Sequence, residues 1–385
     1  MTKTLDNQMK TPIYILEEER LRANLSLITS VAERTGVEVI FAFKAVAMWK
    51  TFNIFREYTR YATASSLNEA RLAVEEWGEK AHTYAPVYAD EEIEAIARLS
   101  SHLTFNSLNQ YHRHAAAARA ANPGISFGLR INPEYSEVTP PIYNPCMPGS
   151  RFGITSDLMP ERLPKDVEGL HCHCHCESSA EAFQHTLAHI EKRFARWFPQ
   201  IKWINFGGGH LMTSKGYNVE LLVETLRGFR ERYPYLKVII EPGQAFVWET
   251  GDLHTKVMDI VNNHGVKTAI LDVSFTCHAP DCLEMPYQPD VDGAEKVALE
   301  RADEPRCYRF GGNSCLAGDY LGSWRFDHDL QVGEPIVLKD MIHYSIVKTT
   351  MFNGIRHPSL GLLHRDGTLE TLREFTYEDY KNRMD

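Results

Sequence analysis

The residue best suited to covalent chemistry is Lys44, which ends the apolar run Val39-Ile40-Phe41-Ala42-Phe43. At the tip of a buried strand its stem is desolvated. Burial favours the neutral amine, the form that condenses with an aldehyde. Taken alone, Lys44 fits a plainer reading equally well: a strand-end lysine whose stem covers apolar surface and whose ammonium stays in water. Gly207-Gly208-Gly209 follows another apolar run, Trp203–Phe206, and precedes helical sequence. Three glycines let backbone N–H groups approach an anion, and a helix N-terminus adds its dipole. A simple tight turn would need the same residues. Glu241-Pro242-Gly243 closes the next strand. Gly243 can offer one more N–H, and Glu241 at the strand tip can face the same space.

The run His171-Cys172-His173-Cys174-His175-Cys176 has ligand types that suit zinc. Strand alternation, however, sends the three imidazoles to one face and the three thiols to the other. No second CxxC or HxxxH supplies partners, so no metal is expected. One flat imidazole can stack on an aromatic ring, and the rest read as hydrogen-bonded histidines and small buried thiols. Further along, Gly311-Gly312-Asn313-Ser314-Cys315-Leu316-Ala317-Gly318-Asp319 is a turn-rich loop presenting a thiol and a carboxylate. A loop cysteine alone is more often inert than catalytic. Tyr344 precedes Phe352-Asn353-Gly354 and by itself reads as a packing residue.

These residues need a scaffold that brings strand ends together. Strand-like segments begin near Val37, Tyr61, Ala81, His102, Ser126, Gly169, Trp203 and Lys237. Between many of them lie helical runs such as Leu67–Glu76, Asp90–Leu99, Leu108–Ala121, Ala180–Phe198 and Val219–Tyr233. Eight βα units make a TIM barrel, whose chemistry sits at the C-terminal ends of the strands. After about residue 245 the rhythm changes. Leu253–Asn262, Thr268–Val273, Cys307–Phe310 and Pro335–Leu338 follow one another with few helices, which predicts an antiparallel β domain. The expected division is a barrel over 18–247, with 1–17 and 248–385 forming the second domain.

The length of 385 residues suits two domains, and 43% hydrophobic with 24% charged residues allows a large core. A net charge of −10 without a basic run argues against nucleic acid or an anionic membrane as partner. It is weakly compatible with a cationic substrate. The N-terminus lacks an apolar leader, and no stretch approaches the roughly 18 apolar residues of a membrane helix. The eight cysteines read as free thiols in a reducing, cytoplasmic setting.

Taken in order, Lys44, His173, Gly207–Gly209, Glu241-Pro242-Gly243, Cys315 with Asp319, and Tyr344 resemble the fold-type III pyridoxal-phosphate (PLP) decarboxylases. That group contains the ornithine and diaminopimelate decarboxylases, and the resemblance runs through nearly the whole chain. Finer segments resemble the branch that acts on carboxynorspermidine or carboxyspermidine. They are KAVAMWKTF (44–52), TASSLNEARL (63–72), INPEYSEV (131–138), YNPCMPGSRFGI (143–154), HAPDCLEMPY (278–287) and NSCLAGDY (313–320). The resemblance implies a PLP-binding (β/α)8 barrel with an alanine-racemase-like second domain. It implies that Lys44 carries PLP, His173 stacks on its ring and Glu241 pairs with the pyridine nitrogen. Backbone groups of Gly208, Gly209 and Gly243, with the Tyr344 hydroxyl, would hold the phosphate. Cys315 would reach in from the other subunit of a homodimer as the proton donor. Asp281, Asp319 and, less strongly, Glu284 fall where relatives place acids for a distal amine.

Three departures stand out. Leu316 replaces the acidic residue that follows the loop cysteine in ornithine decarboxylases. Gln244 replaces the arginine usual after Glu-Pro-Gly. His175-Cys176 replaces Gly-Ser, leaving Ser178 or Ser179 to stand in for the serine. A diaminopimelate-type enzyme should show basic residues near Cys315 and Asp281, where this sequence shows acids. A non-catalytic relative would tend to have lost Lys44 or Cys315.

Overall fold

The computed structural model describes residues 9–298 and 303–385. The chain divides into two compact units, one of Ala23–Phe246 and one joining the residues up to Arg22 to Val247–Asp385. In chain order, strand β1 (Ile13–Glu17) runs into helix α1 (Glu18–Thr35), and the strands of a barrel follow. They are β2 (Glu38–Val39), β3 (Phe41–Ala42), β4 (Ala62–Ala64), β5 (Ala81–Tyr84), β6 (Ser100–Phe105), β7 (Ser126–Arg130), β8 (Val167–His171), β9 (Trp203–Asn205) and β10 (Lys237–Ile240). The helices between them are α2 (Phe52–Arg56), α3 (Leu67–Leu72), α4 (Ile93–Leu99), α5 (Leu108–Ala121), α6 (Ala180–Phe194) and α7 (Val219–Arg232).

Every strand pairing in this unit is parallel. Short apolar strands buried on both faces are what a parallel sheet covered by helices requires. Strands β2 and β3 are halves of one strand, interrupted at Ile40. Ile40 N–H bonds Ile240 O on one side at 3.0 Å, and Phe41 N–H bonds Tyr61 O on the other at 3.0 Å. Nine segments therefore fill eight places and the ring closes. Four of the helices that follow strands start on a side-chain cap. Ser66, Ser107, Ser179 and Asn218 accept from the backbone N–H groups of Glu69, Gln110, Ala182 and Leu221. The connection from β7 to β8 departs from the βα rhythm: its one helical turn is the 3-10 segment Pro141–Tyr143.

The end of the barrel away from the strand tips is filled rather than open. The Trp203 indole occupies space that side chains at Gly128 and Gly169 would need; a Cβ there would lie 2.4 Å and 2.0 Å from the ring. Trp203 packs with Ile40, Ile239 and Tyr61, and its ring meets His102 edge-on. His102 stacks on His82 with centroids 3.8 Å apart. Burial pushes both imidazoles down, His102 to about 4 from 6.5. A histidine with a depressed native pKa leaves stability intact above 6.5, where both states are neutral. Below it the unfolded state takes up the proton first. The thermal unfolding midpoint should therefore fall steadily between about pH 6.5 and 4. A midpoint unchanged across that window in a pH series of melts would contradict this account of the barrel floor.

After α8 (Gln244–Val247), which spans the boundary, the second unit continues through β11 (Gly251–Asn263), β12 (Val266–Leu271), α9 (Phe275–His278), α10 (Pro280–Glu284), β13 (Ala294–Val297) and β14 (Cys307–Gly311). It ends with β15 (Tyr320–Phe326), β16 (Pro335–Leu338), β17 (Ser359–Leu363), β18 (Leu369–Arg373) and α11 (Tyr377–Lys381). Its sheet order is β13-β15-β14-β12-β11-β1-β17-β18, with β16 also on β11. The sheet is mixed rather than wholly antiparallel, because β1 runs parallel to β17 and β12 parallel to β14.

Candidate active site

Polar residues gather where the barrel strands end. Tyr84, Arg130, His171 and Asn205 are the last residues of β5, β7, β8 and β9, and Glu241 follows β10 directly. Arg130, His171, Asn205 and Glu241 are all buried. So many polar groups in a closed barrel mouth must largely satisfy one another, and apart from His171 Nδ1 they do. His171 Nε2 lies 2.9 Å from Glu241 Oε1, and Asn205 Nδ2 donates to Glu241 Oε2 at 3.2 Å. Arg130 donates to the Tyr84 hydroxyl at 2.6 Å and to His173 O at 3.0 Å.

Lys44 stands two residues beyond β3. Its Nζ makes no hydrogen bond or ion pair among the described residues. Burial pushes its ammonium below the usual lysine range; the charge of Glu241 opposes this and that of Arg130 adds to it. Burial alone would raise the Glu241 carboxyl, but His171, Lys44 and Asn205 outweigh it and leave the group below the usual carboxylate range. Lys44 and Glu241 thus act on each other across one mouth. An unpaired amine whose charged form is disfavoured by burial suits condensation with an aldehyde. A buried anion held by uncharged Asn205 and by His171 suits a protonated ring nitrogen. The residues present fit pyridoxal phosphate on these grounds.

The glycine loops are partly engaged already. Gly207 N–H donates to Asn205 Oδ1 at 2.8 Å, and Gly208 N–H to His173 Nδ1 at 2.9 Å. The sequence assigns Gly208 N–H to the phosphate. The structure instead uses it to orient the His173 ring, which leaves the N–H groups of Gly209 and Gly243 for an anion. Side chains are excluded here: a Cβ on Gly208 would lie 2.3 Å from Glu241 O, and one on Gly209 2.2 Å from His175 O. Gln244 donates to Glu177 at 2.7 Å, so no cation replaces the missing arginine through it. Ser179 caps α6, and the Ser178 hydroxyl bonds Cys176 O at 3.3 Å. Two members of the metal-like run converge, His171 and His173 each bringing a ring nitrogen within 4.8 Å of the other and of a Glu241 oxygen, while His175 packs on Phe183 and His210. Cys172 and Cys174 bring their sulfurs to 3.1 Å, and none of the eight cysteines is in a disulfide.

The remaining expected residues belong to the second unit. Cys315 is exposed, and its N–H donates to Asn353 Oδ1 at 2.8 Å, which ties its loop to the Phe-Asn-Gly turn. Asp319, expected as a cation anchor, is buried. Its Oδ1 accepts from Thr276 N–H at 3.0 Å and its Oδ2 from Ser314 N–H at 3.2 Å, so its first task is to brace the Cys315 loop. Tyr344 sits at φ +46°, and its carbonyl accepts from Lys348 N–H at 3.1 Å. Asp281 and Glu284 lie one turn apart on α10 and share the Lys348 ammonium, with Asp281 Oδ1 at 2.7 Å.

Sequence reasoning missed Tyr84, Arg130, His171, Asn205 and Lys348. The first four carried a readable signal, a polar residue closing an apolar barrel strand. Lys348 carried none, because its partners lie 67 and 64 residues away. It also alters the charge argument: a basic residue does stand beside Asp281.

Residues 19–248 match the family described as pyridoxal-dependent decarboxylase, pyridoxal binding domain. The chain is 46% identical to a carboxyaminopropylagmatine decarboxylase of Synechocystis sp., over 98% of this chain and 96% of that one. It is 42% identical to a carboxynorspermidine/carboxyspermidine decarboxylase of Campylobacter jejuni, over 98% and 99%. The crystal structure of carboxynorspermidine decarboxylase from Campylobacter jejuni, complexed with norspermidine, superposes with a TM-score of 0.88 at 41% identity. It covers 97% of this chain and 100% of that one. No helix among the described residues is long and apolar enough to cross a membrane.

Proposed function

We propose, for a chain that belongs to the pyridoxal-dependent decarboxylases, that it removes carbon dioxide from carboxynorspermidine or carboxyspermidine to leave norspermidine or spermidine. One observation carries the substrate class. The carboxylates of Asp281 and Glu284 already hold a primary alkylammonium, that of Lys348. A polyamine ends in the same group, so the cradle has the right charge and spacing for it. The whole-length likeness to the Campylobacter jejuni enzyme supports the same reading.

When bound, pyridoxal phosphate supplies a ring that accepts the electron pair left at Cα as carbon dioxide departs. Lys44 offers the amine that carries the cofactor. Glu241, kept anionic, meets the proton on the ring nitrogen. His173, its ring angle set by Gly208, covers one ring face. The N–H groups of Gly209 and Gly243 would hold the phosphate, and the family resemblance adds the Tyr344 hydroxyl. Cys315 delivers a proton to Cα from the partner subunit of a homodimer. Leu316, Tyr320, Val347 and Phe352, large apolar residues left exposed on the unit that carries Cys315, suit such an interface. Asp319 presents the Cys315 loop, and its oxygens keep lone pairs for a cation that reaches them.

Carboxyaminopropylagmatine is the second reading, favoured by the 46% identical relative of that name. Its distal guanidinium would donate two parallel hydrogen bonds to one carboxylate. Parallel turnover assays on carboxynorspermidine, carboxyspermidine, carboxyaminopropylagmatine and diaminopimelate separate the readings. The proposal expects the highest kcat/KM on one of the first two; a preference for either of the others would overturn it. Asp281→Asn should raise KM for the polyamine about tenfold or more, the range of one charged hydrogen bond, while PLP affinity stays unchanged. An unchanged KM would remove Asp281 from the substrate site.

A further inference from the structure

We propose that His171 is a positioning residue, which with Asn205 holds the Glu241 carboxylate at a fixed angle for the cofactor's ring nitrogen. The inference rests on the reading of Glu241 as that nitrogen's partner and adds a residue to it. Among the described residues, Glu241 takes its side-chain hydrogen bonds from two donors, one per oxygen: His171 at 2.9 Å on Oε1 and Asn205 at 3.2 Å on Oε2. Two bonds to different oxygens fix both the position and the rotation of the carboxylate plane. Each oxygen keeps a lone pair directed elsewhere.

His171 is itself held. It closes β8, is 2% exposed, and meets the Tyr84 ring edge-on with centroids 5.3 Å apart. Its Nδ1 is buried without a hydrogen-bond partner. An ionised carboxylate only accepts, so the proton on Nε2 is the one that makes the 2.9 Å bond. Leaving Nδ1 unpartnered costs stability, and such a cost is kept where the other ring nitrogen has a task. Three further groups act on the same carboxylate. Lys44 after β3 attracts it, His173 Nδ1 lies 3.9 Å from Oε1, and Tyr84 on β5 feels its charge. Arg130 on β7 faces Lys44 and Tyr84. Burial raises the Glu241 carboxyl and His171 is the largest opposing influence. Without the imidazole the carboxyl moves up. The anion is then complete only at higher pH and is lost as pH falls.

The test dialyses full-length holoenzyme against graded PLP and reads the dissociation constant across a pH series from about 8 downward, through the range where a raised carboxyl titrates. The variants are His171→Phe, His171→Asn, His171→Gln, Glu241→Gln and His171→Phe/Glu241→Gln. The expected result is a tenfold to roughly hundredfold weaker PLP affinity in His171→Phe, deepening toward low pH. His171→Gln, which keeps a donor of similar reach, should recover part of it. In the Glu241→Gln background the same change should cost almost nothing, because the partner is gone. Should His171→Phe be insoluble, His171→Asn, too short to reach the carboxylate, carries the same expectation. A loss that is independent of pH, or equal with and without Glu241, would make His171 a packing residue and overturn the inference. If Glu241→Gln itself binds PLP like the wild type, the reading of Glu241 fails instead.

Discussion

Lys44→Ala should lower kcat about a hundred- to ten-thousand-fold and erase the visible absorbance of the bound cofactor. The loss is taken as at least that of removing one group from the reacting centre, here the amine that carries the cofactor. The amine is placed for this by strand ends rather than by a local motif. It emerges two residues beyond β3, in a mouth lined by Tyr84, Arg130, His171, Asn205 and Glu241. Burial lowers its charge, and no partner among the described residues competes for it. A lysine that merely covered apolar surface would tolerate the change, with the stem replaced by water and kcat near the wild-type value. Wild-type absorbance in the alanine variant would therefore restore that plainer reading. Because the mutation removes a group that acts on the Glu241 charge, fold integrity should be checked by a melt beside the spectra.

The second large effect is a rescue. Lys44→Ala and Cys315→Ala, each nearly inactive alone, should together recover about a quarter of wild-type activity once mixed and allowed to exchange subunits. Random pairing makes half the dimers mixed. A mixed dimer has one site built from an intact Lys44 and the partner's intact Cys315, and one site lacking both. One site in four is whole. Cys315 is exposed on a loop braced from two directions, by Asn353 on its own N–H and by Asp319 on Ser314 N–H. A loop held so firmly while its thiol faces solvent is built to present that thiol elsewhere. Activity no greater than the sum of the two variants, after exchange is shown by mixed-dimer mass, would place both residues in one subunit's site or remove Cys315 from the chemistry.

Much of the barrel was legible because its signal is local. An apolar strand ending in a polar residue marks both the strand and the mouth, which is why Lys44 and Glu241 could be read together. Helix α5 was read with its observed ends, Leu108 and Ala121, and the structure shows Ser107 capping it. What escaped was long-range. Strand β1 pairs in parallel with β17, and no periodicity near Ile13 announces a partner at Ser359. Strands β13 and β15 in the same sheet were missed. No helix was read between the strands at Ser126 and Gly169, and the 132–166 connection holds only the 3-10 turn Pro141–Tyr143.

At the site, residue type was read better than role. Asp319 carries the right charge for a cation, and each of its oxygens also accepts from a backbone amide, a bracing role that its type did not announce. Gly208 was read as an anion donor, while its N–H orients His173. His171 was one imidazole among three in a repetitive run. Only the barrel register, which sets His171 beside Asn205, separates it from the others. Charge counted along the sequence placed acids alone near Asp281; the fold brings Lys348 to them from 67 residues away.

Borohydride reduction of the holoenzyme, followed by peptide mass mapping, tests the central claim directly. Hydride adds to a carbon–nitrogen double bond between cofactor and lysine and makes the link permanent. The account predicts one pyridoxyl group per chain, on the peptide that contains Lys44. A label on a different lysine, or none on a protein that still turns over substrate, would contradict it.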